Sequence, residues 1–197
     1  MSHKVIEMKC PGCGARVTTG QNECEYCFGP IVISTFTSVY AMPMPEVNKF
    51  ANEYKKELAE NPDNKELNTS IAFCFLKLKL YDKALSSFEK AIIDNFDNSE
   101  VYFYAAICLL QGNKAFLTPR PAIDKIEEYI NAALMIEPKG IYYYFWSYIK
   151  LDYYNRKFFN TKPTFKEALE MATSNGVSDH DKEQLFSILN VPRPEQL

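Results

Sequence analysis

Apolar residues recur at helical spacing through most of this chain. Between positions 45 and 60 they are Val47, Phe50, Ala51, Tyr54 and Leu58, one stripe along a helix whose first turn suits Pro45 and Glu46. The stripe stops at Asn61-Pro62-Asp63, because the residue ahead of a proline is pushed out of the helical region. A second helix is predicted over 65–80, a short turn at Tyr81-Asp82, and a third helix over 83–94. The apolar face of the third reads Ala84, Leu85, Phe88, Ala91 and Ile92. Two such helices joined by a short turn cannot hide their apolar faces alone and require stacked neighbours. The pattern then renews itself from Ser99, with Tyr102, Ala105, Ala106 and Leu109, and again over 122–137. A poorer pair spans 139–176. A last helix over 178–189, capped by Ser178 or Asp179, carries Leu185, Phe186, Ile188 and Leu189 and would cover the open end of the stack.

Residues 31–45 break this rhythm, for they contain no charge. Left in water, such a stretch invites strand pairing. It is expected to begin as a strand over 31–36 and to continue as a strap packed against the first helices. Val39 to Met44 would lie on, or beside, whatever groove the helices form.

The helical part resembles the tetratricopeptide repeat, a 34-residue helix hairpin. In the unit over 65–98 its signature positions hold Asn68, Ile71, Ala72, Phe75, Ala84, Phe88, Ala91 and Phe96. Six of these eight keep the expected size, and Asn68 and Phe96 do not. The next unit ends in Glu137-Pro138 as the motif asks, with its extra length in 111–121. The third has Trp146 where the motif wants a small residue, and its own insertion near 155–163. The resemblance implies a repeat solenoid whose concave groove is lined by Phe73 and Leu76, then Phe103, Ile107 and Leu110, then Tyr143. Glu66, Thr69, Glu100, Ser147 and Lys150 would flank them. The chaperone-binding branch of the family clamps a carboxylate with lysines, arginines and asparagines, but here Thr69, Phe73 and Ile107 stand at those places. An amphipathic helix or extended apolar peptide is the better-matched partner. The plainer alternative is that these side chains are core, as is expected of Cys74 and Cys108.

The N-terminus departs from all of this. Cys10-Pro-Gly-Cys13-Gly and Cys24-Glu-Tyr-Cys27-Phe-Gly are two C-x-x-C pairs with ten residues between them, the spacing of a tetrahedral metal site. A disulfide reading is weaker, since no secretory signal is apparent and cytosolic thiols stay reduced. The segment 1–40 resembles small zinc-ribbon modules, with strands expected over 3–8, 15–19 and 31–36. One departure is visible: Phe28 comes between the last cysteine and Gly29. Four thiolates close the coordination shell, so the expected Zn2+ is structural and supplies much of the folding energy of so small a module. A rubredoxin-like iron centre for electron transfer is the alternative.

The remaining composition narrows the choice. The 197 residues carry a net charge of −3, enough chain for a ribbon over 1–38, a strap over 39–45 and a helical domain over 46–197. The expected fold is mostly α, a small β zinc ribbon followed by an α-α helical-hairpin solenoid. Residues 1–30 balance Lys4, Lys9 and Arg16 against Glu7, Glu23 and Glu25. With no basic stripe to attract phosphates, the charge pattern argues against nucleic acid, although a regulator binding it through the ribbon is the second reading. The most apolar run, 141–149, is too short to span a bilayer and ends at Lys150 and Asp152, so no membrane partner is expected and the compartment is read as cytoplasmic. The two histidines are His3 and His180, the latter between Asp179 and Asp181 in an acidic helix start. No phosphate-cradling glycine loop, H-E-x-x-H or nucleophile elbow occurs. The chain therefore reads as a non-catalytic adaptor or scaffold, with self-association through its groove or loops a further option.

Overall fold

The computed structural model describes residues 5–93 and 97–197. His3 in the first expected strand, Asp94 at the end of the third expected helix and Phe96 in the repeat signature lie outside the described residues. The chain is mostly helical, with a two-stranded sheet near its N-terminus, and divides into two compact units, Met1–Asn95 and Phe96–Leu197.

In the first unit, β1 (Glu7–Lys9) pairs antiparallel with β2 (Arg16–Thr18), Met8 opposite Val17, and both of these side chains are buried. The third strand expected over 31–36 does not form. A lone bridge joins Glu23 to Pro30, and α1 (Phe36–Tyr40) follows an irregular stretch. The reason is where the backbone polar groups go. Ser70 Oγ accepts the Ile33 N–H at 2.8 Å, and the Tyr54 hydroxyl donates to the Ile31 carbonyl at 2.9 Å. Side chains of α2 (Met44–Glu60) and α3 (Lys65–Lys77) thus satisfy groups that a neighbouring strand would otherwise take.

The hairpin itself is α3 with α4 (Tyr81–Ile92). Asn64 caps α3 by accepting the Leu67 N–H at 3.0 Å. The turn expected at Tyr81-Asp82 lies earlier: Lys79 takes a left-handed φ of 58°, and Tyr81 is already helical. The uncharged strap lies along α3. Phe36 stands 6.1 Å from Phe73, which stands 5.3 Å from Phe88 of α4, Val39 is buried, and Lys77 Nζ donates to the Tyr40 carbonyl.

The second unit pairs α5 (Ser99–Cys108) with α6 (Arg120–Ile136), and α7 (Gly140–Ile149) with α8 (Phe165–Ser174). Asn98 caps α5 just as Asn64 caps α3, 34 positions earlier. Cys74 and Cys108 share that interval and are both buried, and desolvation pushes the Cys74 thiol up to about 12. Gly140 is required by packing: a Cβ there would come within 2.6–2.8 Å of backbone atoms of Ala172, Asn175 and Val177. Ser178, not Asp179, caps α9 (Asp179–Leu189) through a reciprocal pair with Asp181, and Phe186 packs edge-on against Tyr148 of α7 at 5.4 Å. The two insertions meet. A 3-10 turn, Ala115–Leu117, packs on a π-helical stretch, Lys150–Tyr154, that continues α7.

Candidate metal centre

Each C-x-x-C pair closes a knuckle built the same way. The Cys10 carbonyl accepts the Gly14 N–H at 2.9 Å, and the Cys24 carbonyl accepts the Phe28 N–H at 2.8 Å. Return bonds run from Cys10 N–H to the Ala15 carbonyl and from Cys24 N–H to the Gly29 carbonyl. Both turns need a left-handed residue directly after the second cysteine. Gly14 meets that need at φ 81°, whereas Phe28 is forced to φ 56°. Gly12 answers a different need, since a Cβ there would sit 3.1 Å from Cys27 Sγ.

The knuckles bring four sulfurs together. Cys10 and Cys27 Sγ are 3.6 Å apart, as are Cys13 and Cys24 Sγ, and all four lie within 4.8 Å of one another. A tetrahedral site with metal–sulfur bonds of about 2.3 Å places its sulfurs about 3.8 Å apart. The set could therefore hold one metal ion, and its all-sulfur chemistry fits zinc or iron rather than a hard, oxygen-seeking cation. Cys10 and Cys24 are buried, while Cys13 and Cys27 face outward.

The electrostatics of the two buried thiols diverge. Burial pushes Cys10 up to about 12, whereas N–H groups of Tyr26 and Cys27 aimed at Cys24 lower it to about 7. Backbone dipoles thus prepare one thiolate, and the other ionises only against a bound cation. Two residues of α2 tie the ribbon to the helices. Lys49 Nζ donates to the Gly12 carbonyl, placing a positive charge beside a site that gains two negative charges when loaded, and Glu57 accepts the Lys9 N–H. Burial and the neighbouring Glu60 and Glu53 raise the Glu57 carboxyl. Neither contact is legible in the C-x-x-C spacing, because Lys49 lies 37 positions from Gly12 and Glu57 lies farther still from Lys9.

The proposed groove is corrected. Phe73, Leu76, Phe103, Ile107 and Leu110 are buried, and Tyr143 is half-buried. Phe73 is covered by Phe36 of the strap and Phe88 of α4, and Phe103 stands 4.5 Å from Tyr142 and 5.8 Å from Phe145. The five buried side chains offer a partner no surface, and Tyr143 alone of the six keeps part of its own. Ser147 is also buried, and Lys150, read as flanking the groove, is 4% exposed. Its Nζ lies 2.6 Å from Glu127 Oε1, over the rings of Tyr154 and Trp146, and both of those side chains also donate to Glu127.

No family model matches the chain, and no curated protein matches it. Among solved structures, "MamA MSR-1 C2" aligns over 76% of this chain and 88% of its own, at 16% identity and a TM-score of 0.48. An overlap of that size leaves the helical-hairpin description to rest on the helix pairs themselves. No helix of the described residues is long and apolar enough to cross a membrane.

Proposed function

We propose that the protein is a non-catalytic adaptor whose N-terminal ribbon is held by a structural zinc ion and docks a protein partner. The observation that carries this is the closed four-sulfur set. With all four positions taken by thiolates, a bound zinc has no place for a water or a substrate. His180, a titratable side chain that catalysis would favour, sits exposed in the acidic first turn of α9. With the helical groove filled, the partner surface moves to the ribbon. Tyr26 and Phe28 flank Cys27 and are 73% and 76% exposed, two large aromatic side chains open to a partner on the second knuckle.

Metal analysis of the protein purified from its native host tests the first half. One equivalent of zinc and no visible absorption are expected. A red protein containing iron would replace the reading with electron transfer, which the same four sulfurs support. Affinity purification with mass spectrometry tests the second half, comparing wild type with a Tyr26→Ser/Phe28→Gly variant that keeps its metal. A partner lost from the variant supports the adaptor, and identical partner sets would remove the ribbon surface from it.

A further inference from the structure

The two insertions carry a charge pattern unlike the rest of the chain. Residues 111–121 and 155–163 hold Lys114, Arg120, Arg156, Lys157 and Lys162 and no acidic residue, so the remainder of this −3 protein sums to −8. The fold brings the two stretches together. The Phe116 N–H donates to Asp152 at 2.9 Å, the Ala115 N–H donates to the Tyr148 hydroxyl at 3.3 Å, and the Arg156 guanidinium lies 4.3 Å over the Phe116 ring. Several charges are answered locally: Arg120 by Asp124, Arg156 by the buried Asp152, and Lys162 by the nearby Glu167. Lys114 and Lys157 have no carboxylate within ion-pair distance among the described residues, and Lys157 rests over the rings of Tyr153 and Phe116.

Among these cations the same loops expose large apolar side chains. Leu117 is 69% exposed, Phe158 94% and Phe159 48%. Phe158 holds a left-handed φ of 58° directly after a second 3-10 turn, Asn155–Lys157. A cleft of about 400 Å³ opens between Lys114, Asn155 and Arg156 of the loops and the C-terminal segment around Arg193, with Asp152, already paired to Arg156, also in its wall.

We propose that the paired insertion loops dock on an anionic lipid bilayer. Leu117, Phe158 and Phe159 enter the interfacial layer, while Lys114, Lys157 and Lys162 face headgroup phosphates, one of which the cleft has room to admit. Apolar loop tips ringed by lysine and arginine match that surface in both polarity and charge. Nucleic acid could stack on Phe158 and Phe159 but would leave the 69%-exposed Leu117 without a partner, whereas a bilayer takes up all three. An acidic peptide would use the cations but leave Phe158 in water. The absence of a spanning segment is no obstacle, since peripheral docking needs none. The inference is independent of the ribbon as partner surface.

The test is flotation of the full chain with vesicles of phosphatidylcholine alone or mixed with phosphatidylserine. Binding is expected only to the anionic vesicles, and it should weaken as salt rises. A Leu117→Asp/Phe158→Asp variant should lose at least about tenfold in partitioning, and Lys114→Glu/Lys157→Glu should lose a similar amount. Leu117, Phe158 and Lys114 are exposed, and because Lys157 is half-buried over the Tyr153 and Phe116 rings, a Lys114→Glu/Lys162→Glu variant, exposed at both positions, accompanies it; circular dichroism checks that each variant folds as wild type. Equal flotation with neutral vesicles, no flotation with anionic ones, or retention by the folded variants overturns the proposal. Loop-dependent binding of polyglutamate or a single-stranded oligonucleotide without flotation overturns it too, and reassigns the surface.

Discussion

The left-handed Phe28 offers a sharp test of how the second knuckle is built. Replacing it with glycine removes an unfavourable backbone conformation that costs a non-glycine residue about 1–2 kcal/mol. Little burial is lost, because the ring is 76% exposed, and the N–H to the Cys24 carbonyl bond survives in glycine. Glycine raises the entropy of the unfolded chain, which offsets about 0.4–1 kcal/mol. The net expectation is stabilisation by about 0.5–1 kcal/mol, or roughly a twofold to fivefold gain in metal affinity if ribbon folding and metal binding are one equilibrium. Phe28→Ala supplies the control, since alanine keeps the strain and should be close to neutral. Gly14→Ala is the mirror experiment. An added Cβ there meets nothing within 4 Å, so its cost of about 1 kcal/mol comes from the backbone alone. Competition with a chromophoric chelator measures all three. Weaker metal binding by Phe28→Gly, or equal gains from Phe28→Gly and Phe28→Ala, would refute the strain argument and assign Phe28 a packing role instead.

Four further outcomes are expected. Metal binding requires all four sulfurs as thiolates, and near pH 7 Cys10, which stands at about 12 without metal, should release a whole proton where Cys24, which stands at about 7, releases about half; affinity therefore falls as pH drops, and calorimetry in buffers of different ionisation enthalpy should read a total larger than these two supply. Lys150→Met should destabilise the second unit by about 2–3 kcal/mol in chemical denaturation, toward the low end for a broken buried pair because Glu127 keeps its Trp146 and Tyr154 donors, and adding Glu127→Leu should recover much of the loss. Ser70→Ala strips the buried Ile33 N–H of its acceptor and should cost about 1–3 kcal/mol, seen as faster proteolysis of the strap around residues 34–42. Phe103→Ala should cost about 3–5 kcal/mol in the same denaturation assay, because it empties a buried site between Tyr142 and Phe145, whereas a groove residue would change stability little.

Some elements were legible because their signals are local. The apolar stripe within 45–60 places α2 to within a residue, and Ser178, one of two caps the sequence offered, marks where α9 begins. The groove residues were misread for a reason that lies outside their own helices. Phe73 follows a pattern that suits either a groove or a core, and only the arrival of Phe36, thirty-seven positions earlier, makes it core. The missing third strand has the same origin, since its acceptors and donors are Ser70 and Tyr54. Lys150 sits in an apolar run, where its charge marks the end of a stripe; its partner Glu127 lies on another helix, and no spacing rule links the two.

The sequence by itself determined the helical periodicity, the start of the last helix and the two cysteine pairs. Each depends on bonding within a few residues, where covalent geometry fixes which side chains can meet. Only the tertiary structure decided that four sulfurs stand at metal-binding distance, that Phe36 and Val39 pack along α3, and that Arg156 and Lys157 of one insertion cover Phe116 of the other. Those outcomes depend on which distant segment reaches a given apolar surface or unpaired backbone group first with a better fit, and that choice is made by the packed chain as a whole.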